Sequence, residues 1–213
     1  MAGTFRSLRH RNARLFFVGL LLSNVGTWVQ FTAVAILVDR ITGRVTALGV
    51  LTALQFLPML VFGAYAGAVA DRVDRRKMAI VTQAGLAAQA VLLAVFDLTG
   101  VINLGIIYAL TLVLGIVSAF DNPARRGFVT ELVPQDDIAN AISLNTATMT
   151  GSRIFGPAIA AGRVGPIGTG WRFTLNAFSF VAILGSLFLV NQAQLFRAPR
   201  AKRGGQPVRD GLR

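Results

Sequence analysis

The sequence predicts an all-α membrane protein with six transmembrane helices. Of its 213 residues, 54% are hydrophobic and only 14% are charged, whereas soluble domains carry about 25% charged residues. Six stretches are nearly free of charge, and each is about as long as the roughly 17–25 residues that cross a bilayer as a helix. A soluble core needs helices with one apolar stripe rather than segments that are apolar all round. The composition therefore argues against a cytosolic enzyme.

Short connections separate the predicted spans, so neighbouring spans are expected to pack antiparallel in a compact bundle that covers residues 15–196. A basic leader, residues 1–14, precedes the bundle. Residues 197–213 have almost no apolar content and are predicted to be a disordered basic tail. The six spans cover residues 15–38, 47–70, 78–96, 101–120, 138–161 and 173–195.

Individual residues mark the faces and ends of these spans. In the second span, Gly63 and Gly67 have the spacing of small residues that lets membrane helices approach closely. The fourth span is predicted to stop at Asp121-Asn122-Pro123, because proline continues a helix poorly and disfavours helix in the residue before it. The fifth span is interrupted only by Arg153 and is expected to be short at its outer end.

Basic residues predict the orientation of the chain. Sixteen of the 21 lysines and arginines fall on the side that holds both termini, and four fall on the opposite side. The positive-inside rule therefore places both termini in the cytoplasm. These clusters also favour contact with anionic lipids. Basic clusters that do not lie on a folded domain are weak evidence for nucleic-acid binding, so we expect no nucleic-acid partner.

The residues needed for catalysis or metal binding are scarce. The chain has no cysteine, and its one histidine, His10, lies in the leader. Hydrolytic sites need a nucleophile with a base, and metal sites need clustered ligands. We therefore expect no enzymatic activity, no metal site and no cofactor.

The loop after the second span carries one acidic and several basic residues. Asp71 ends that span, where the helix dipole opposes a carboxylate. We expect it to pair with Arg75, with Arg76 or with the N-terminus of another helix; a solvated loop charge is the alternative. A similar run, Asp121 to Arg126, follows the fourth span.

Several motifs together resemble one transporter family, the major facilitator superfamily (MFS). Gly67-x-x-x-Asp71-Arg72-x-x-Arg75-Arg76 is similar to its loop signature G-x-x-x-D-R-x-G-R-R, with Asp74 where the family usually has glycine. The drug and siderophore exporter branch, which includes enterobactin exporters, is resembled in three further places. These are Gly26-Thr27-Trp28, Asp121-Asn-Pro-Ala-Arg125 through Ala139-Asn140-Ala141, and Gly156-Pro157.

This resemblance extends from about Phe5 to Val190 and implies a fold and a mechanism. The six spans would be the N-terminal half of the MFS fold, built as two inverted repeats of three helices. Gly67, Asp71, Arg72, Arg75 and Arg76 would form a conformational latch that gates transport, and Asp121, Pro123 and Arg125 would form a second inner loop. Gly156 and Pro157 would belong to the antiporter motif of the fifth span.

Arg153 is the strongest candidate for a residue of the transport cavity. A charge within a span costs at least about 2.5–3.5 kcal/mol and normally faces a protein interior or a watery cavity. The alternative is that it reaches an interface or a carbonyl group at a helix crossing. Polar residues share its helix face and form a second stripe in the first span, where Asn24 is the one best explained by hydrogen bonds between helices. The cavity candidates are Asn24, Thr27, Gln30, Thr146, Thr150, Arg153, Gly156 and Pro157.

The resemblance implies proton-coupled export of drug-like or siderophore-like molecules across the plasma membrane. The expected partners are a small-molecule substrate, protons and membrane lipids. None of the predicted spans contains a carboxylate, so the proton carrier is Asp39, Asp97 or a residue outside this chain.

Six spans are half of the usual number in this superfamily. The chain is thus a recorded fragment, a truncated product, a half-transporter that forms a homodimer, or a half that pairs with a separate second half. The alternative to an exporter is a non-transporting remnant or a membrane assembly partner.

Overall fold

The computed structural model describes residues 5–161 and 168–196, and this part of the chain is helical with no strand. Three short 3-10 helices accompany six long helices: Arg6–Arg9 before the first, Gln135–Asp137 before the fifth and Gln192–Gln194 after the sixth. The long helices are α1 (Arg11–Thr42), α2 (Val45–Ala70), α3 (Arg75–Leu98), α4 (Leu104–Glu131), α5 (Ile138–Ala161) and α6 (Thr169–Leu189).

Five of these helices, α1, α2, α3, α4 and α6, are long and apolar enough to cross a membrane. The exception within the described residues is α5, which carries Arg153 and a series of serine, threonine and asparagine side chains. This polar content corresponds to the groove described below.

The helices pack as two related sets of three. α1 packs mainly on α6 and α5, while α4 packs mainly on α3 and α2. If α1, α2 and α3 are exchanged for α4, α5 and α6, respectively, the contacts of α1 with α6 and α5 become the contacts of α4 with α3 and α2. This is the arrangement expected of a 3+3 inverted repeat. The core at one end of the bundle is aromatic, with the rings of Phe16 and Phe128 5.4 Å apart.

Local signals define several helix ends. Gly43 ends α1 with a left-handed φ of 57°, a conformation that glycine adopts without steric cost. Asp74 caps α3 by accepting a hydrogen bond from the backbone N–H of Lys77 at 3.0 Å. The aspartate that replaces the usual glycine of the loop signature is thus an N-cap residue, and its φ of −69° needs no glycine.

The predicted end of the fourth helix is wrong, because α4 continues through Pro123 to Glu131. Proline lacks the N–H that would donate to the Ala119 carbonyl one turn earlier, but helices of membrane proteins tolerate proline. The side-chain amide of Asn122 donates to the neighbouring carbonyl, that of Ser118, at 3.0 Å. Asp121 and Arg125 are consequently helical residues and not loop residues.

Other bounds also differ from the predicted spans. α1 begins at Arg11 and ends at Thr42, beyond the predicted 15–38, and α6 covers Thr169–Leu189 instead of 173–195. The first turn of α6 therefore contains a charged residue, Arg172, which is only 4% exposed. The predicted outer end of the fifth span, after Ala161, and the tail 197–213 lie outside the described residues.

Candidate functional site

An open groove runs along the bundle between α1, α4 and α5. Its volume is about 540 Å³, within the roughly 300–1,000 Å³ typical of small-molecule sites. The lining combines apolar and polar side chains and comes mainly from α5. The lining residues are Asn24, Trp28, Arg126, Val129, Ile142, Asn145, Thr146, Met149, Thr150 and Arg153.

Arg153 lies at this groove, with its guanidinium carbon 5.4 Å from the centroid of the Trp28 ring. This geometry is that of a cation–π contact. Within the described part of the chain, Arg153 forms no ion pair and no hydrogen bond. Its N–H groups therefore have no acceptor among the described residues.

Close packing of α1 against α5 places Trp28 beside Arg153. A Cβ atom added to Gly156 would collide with the Cβ of Trp28 and would come within 3.3 Å of the Val25 carbonyl oxygen. Only glycine fits there. Pro157 follows inside α5, which continues to Ala161.

One wall of the groove connects to a buried ion pair. Asn24 accepts a hydrogen bond from Arg125 at 3.1 Å, and the Arg125 Nε atom lies 2.9 Å from a carboxylate oxygen of Asp121. Asp121 also accepts hydrogen bonds from Thr82 and Gln83, at 2.8 and 2.9 Å. The longer α4 therefore places Asp121, which is 2% exposed, within a helix and not in a loop.

Asn24 also supplies an unused donor. Its side-chain oxygen is occupied by Arg125, while its Nδ2 atom is buried and has no hydrogen-bond partner among the described residues. A buried unpaired donor costs about 1–3 kcal/mol. The side chain serves both roles that the sequence left open, as an interhelical contact and as part of the groove wall.

Two other predicted cavity residues lie elsewhere. Gln30 is buried between α1, α3 and α6, where it donates to Gln89 at 3.0 Å and accepts from Asn176 at 2.8 Å. The hydroxyl of Thr27 donates to the carbonyl of Ser23 in its own helix. Both residues line a separate void of about 20 Å³, too small for a substrate. Gln30 therefore connects three helices, Thr27 bonds within α1, and neither residue lines the groove.

The predicted latch lies at one end of the bundle. Asp71 caps the end of α2 with its side chain 67% exposed, 3.5 Å from Arg75. Arg75 also reaches α4, where it donates to the Gly127 carbonyl and pairs with Glu131, both at 3.4 Å. These contacts join the α2–α3 loop to α4.

The remaining predicted latch residues differ in their surroundings. Arg76 donates to the carbonyl of Leu187 on α6 at 2.8 Å, whereas Arg72 is exposed. Cβ atoms added to Gly63 or Gly67 would meet no described atom within 4 Å. The close approach of α2 occurs instead at Gly115 of α4, where an added Cβ would lie 2.7 Å from two carbonyl oxygens of α2.

Two further carboxylates were predicted as proton carriers. Asp97, at the end of α3, accepts a hydrogen bond of 2.6 Å from the hydroxyl of Thr169 on α6. Asp39 is exposed in the last turn of α1. Neither of them lines the groove.

Sequence reasoning missed several groove residues. Arg126 was assigned to a loop because α4 was predicted to end too early. Trp28 was noted only as part of a motif, although it contacts Arg153. Met149 lies one helical turn before Arg153, so helical spacing alone places both on one face.

Comparison with known proteins supplies the family context. A family model described as "Transmembrane secretion effector" matches residues 2–213. The chain is similar to an uncharacterized MFS-type transporter, YfiS, of Bacillus subtilis (strain 168), with 28% identity over 90% of this chain and 46% of the relative. It also resembles macrolide efflux protein A of Streptococcus pyogenes, with 24% identity over 90% of this chain and 47% of that protein.

Two further similarities are informative. A staphyloferrin A transporter of Staphylococcus aureus (strain NCTC 8325 / PS 47) is 27% identical over 69% of this chain and 37% of its own length. In fold, the chain matches the crystal structure of a bacterial homolog to the human lysosomal transporter Spinster, in an inward-facing and unoccupied conformation. That match has a TM-score of 0.62 and 16% identity, and it covers 93% of this chain and 47% of the other. The chain thus spans about half the length of the relatives that it matches.

Proposed function

Because the chain belongs to the transmembrane secretion effector family of the major facilitator superfamily, we propose that it forms the N-terminal six-helix half of a secondary active exporter. The observation that carries this proposal is the groove between α1, α4 and α5. Substrate sites of such transporters lie between their two halves. The groove is open on one side and supplies one wall of such a site.

The exposed polar face of α5 supports the pairing of this half with a second one. Thr146, Thr150 and Arg153 share one helical face and are exposed. A charged side chain in contact with lipid costs several kcal/mol, so such residues normally face protein or water. We propose that a second six-helix unit covers this face, either the second half of the same polypeptide, a separate partner or a second copy.

The proposed substrates are small amphipathic molecules, drug-like or siderophore-like. Similar proteins include a macrolide efflux protein and a staphyloferrin A transporter. The groove has the mixed lining that such substrates require, with Val129, Ile142 and Met149 as apolar surface and Arg153 as the charged group.

We propose the plasma membrane as the location, with both termini in the cytoplasm. The segments predicted to be cytoplasmic carry most of the lysines and arginines, which supports this orientation by the positive-inside rule. In that orientation the loop between α2 and α3 is cytoplasmic, and Asp71, Arg75 and Arg76 form the gate. Arg75 contacts α4 and Arg76 contacts α6. These contacts attach the end of this loop to both helices.

The proposed driving force is a proton gradient. The proposed proton carrier is Asp39 or Asp97, near helix ends, or a carboxylate outside this chain.

A second candidate function is that of a non-transporting remnant or membrane assembly partner. The observation that favours it is the open groove, because six helices alone do not enclose a substrate. An immunoblot of the source membranes with an antibody against residues 121–137 separates the cases. A band at about twice 22.7 kDa indicates a twelve-helix exporter, whereas a band only at 22.7 kDa requires crosslinking to a partner or to a second copy.

Efflux from cells that express the native polypeptide tests the exporter directly. Dye efflux that collapses with the proton gradient and falls in the Arg153→Ala variant supports the proposal. Unchanged efflux by a normally expressed Arg153→Ala variant removes Arg153 from the mechanism. Absence of efflux by a well-expressed native protein supports the remnant.

A further inference from the structure

The described lining of the groove presents hydrogen-bond donors and positive charge but no acidic side chain. Its lining includes two arginines, Arg126 and Arg153, and no aspartate or glutamate. We propose that the groove selects anionic substrates, with a carboxylate bound at Arg153 and an aromatic or aliphatic portion on the apolar wall. This inference rests on the proposed export function and specifies its substrate class.

The guanidinium of Arg153 is the main anchor. Its carbon atom lies 5.4 Å from the centroid of the Trp28 ring, and its N–H donors make no hydrogen bond to the described residues. An arginine edge binds a carboxylate through two parallel hydrogen bonds. A lysine at this position would carry the same charge but could not form the two parallel hydrogen bonds. We therefore expect arginine to bind a carboxylate more tightly here than lysine would.

Two neutral donors reinforce this chemistry. Nδ2 of Asn24 is buried and has no partner among the described residues, although Asn24 lines the groove. The Thr150 hydroxyl likewise makes no hydrogen bond within the described part of the chain, and it lies on the same helical face as Arg153. A ligand acceptor would satisfy such unpaired donors, and a carboxylate offers only acceptors.

Two acidic residues of α4 do not reverse this preference for anionic substrates. Asp121 pairs with Arg125 and is 2% exposed, and Glu131 pairs with Arg75. Neither carboxylate lines the groove. A cationic substrate would meet Arg126 and Arg153 with no compensating charge, and like charges in a low-dielectric site repel.

The apolar wall defines the rest of the ligand. Trp28, Val129, Ile142 and Met149 share the groove with the donors. An aromatic ring can stack on Trp28 or lie against the methionine side chain. The best ligand is therefore an amphipathic carboxylate and not a small inorganic anion.

Two xanthene dyes of similar shape and opposite charge test this inference. Fluorescence polarisation of carboxyfluorescein, an anion, and of rhodamine 6G, a cation, is measured with the purified native polypeptide in a neutral detergent. We expect carboxyfluorescein to bind at least about tenfold more tightly. Arg153→Gln should weaken its binding about tenfold or more, Arg153→Lys should have an intermediate effect, and Arg126→Gln should have a smaller one.

Arg40→Gln is the matched control, because it removes the same charge from an exposed position of α1 outside the groove. It should bind carboxyfluorescein as the wild type does. The inference is overturned if rhodamine 6G binds equally well or better, if carboxyfluorescein shows no measurable binding, or if Arg153→Gln binds like the wild type. Should Arg153→Gln fail to elute as a folded protein, the Arg153→Lys and Arg126→Gln variants decide.

Transport of the same dyes into inside-out vesicles separates this inference from the proposed function. Arg153-dependent binding of carboxyfluorescein without transport of either dye contradicts the exporter and supports the anionic site. Proton-dependent transport that ignores dye charge and Arg153 supports the exporter and contradicts the anionic site.

Discussion

Arg125 lies one helical turn after Asp121 on α4, and its Nε atom is 2.9 Å from the carboxylate of Asp121 in the interior of the bundle. The Nε–H group makes no hydrogen bond to the described residues, so this contact is an ion pair only. The two terminal nitrogens of Arg125 donate hydrogen bonds to the side-chain oxygens of Asn24 and Asn122. The pair thereby joins α3, α4 and α1 through two charges that have almost no access to solvent.

Neutralising Asp121 should destabilise the protein strongly. Asp121→Asn leaves Arg125 buried without its counter-ion, and breaking a buried pair from one side costs about 3–5 kcal/mol. We expect a loss of this size in the free energy of unfolding, measured by denaturant titration of the native polypeptide in detergent.

Asp71→Asn is the control for this change. Asp71 also precedes an arginine by four residues, but it is 67% exposed and lies 3.5 Å from Arg75. Exposed pairs contribute about 0–1 kcal/mol. Equal losses in the two variants would contradict the assignment of Asp121 to a buried structural pair.

Gly115 should be intolerant of a larger side chain. Its added Cβ would lie 2.7 Å from the carbonyl oxygens of Leu54 and Gln55, so Gly115→Ala must push α2 away from α4. Overpacking of this kind costs about 1–3 kcal/mol. Thermal unfolding in detergent should show a lower midpoint for this variant.

Gly85→Ala provides the comparison within a neighbouring helix. Its Cβ would meet Val117 at 3.5 Å, an ordinary contact, and alanine favours helix over glycine by about 0.8–1 kcal/mol. This variant should be as stable as the wild type or slightly more stable. A midpoint below that of Gly115→Ala would overturn the packing argument.

The contact of the Arg6–Arg9 segment with Asp137 should weaken in acid. The hydrogen bond from His10 at 3.0 Å holds the pKa of Asp137 below its usual value, and the ion pair with Arg6 at 2.6 Å acts in the same direction. A carboxyl with a lowered pKa stabilises the folded contact at neutral pH. That stabilisation decreases as the pH falls below about 4 and Asp137 binds a proton.

A nitroxide label on Arg9→Cys measures this effect, because the chain has no cysteine of its own. The label should be immobile at neutral pH and should become mobile as the pH falls through the pKa of Asp137. Combining Arg9→Cys with Asp137→Asn should give a mobile label at every pH. A label on the exposed residue Val81 of α3 should not respond, which controls for general unfolding.

Cysteine labelling also tests the proposed orientation. Asp39→Cys and Asp136→Cys replace exposed residues of the same type near opposite ends of the bundle. A membrane-impermeant maleimide should label position 39 in intact cells and position 136 only after permeabilisation. The reverse pattern would place the termini outside the cytoplasm.

Hydrophobic length predicted α1, α2, α3, α4 and α6 well, because crossing a bilayer demands a run of apolar residues that local sequence shows directly. It failed at Pro123, where local propensity favours an end but α4 continues to Glu131. The similar runs Asp121–Arg126 and Asp71–Arg76 also mislead, since Asp121 is buried inside a helix whereas Asp71 is exposed at a helix end.

The candidate site could be predicted in part. Arg153 was identified because a charge in an apolar span is unusual, and helical spacing placed Thr146 and Thr150 beside it. Gln30 was misplaced, because a polar residue on one helix does not reveal which partners the other helices bring to it. The close packing at Gly115 was not predicted for the same reason. Which glycine contacts the backbone of another helix depends on how the helices pair and not on spacing within one helix.

The partners of the Arg6–Arg9 segment come late in the chain. Ser7 donates through its backbone N–H and its hydroxyl to the side chain of Asn140, 133 residues further on. At about 5–20 residues per second, a ribosome needs roughly 7–27 s to synthesise that stretch. The Arg6–Arg9 segment therefore cannot make these contacts until α1 to α4 and the first turn of α5 have been synthesised.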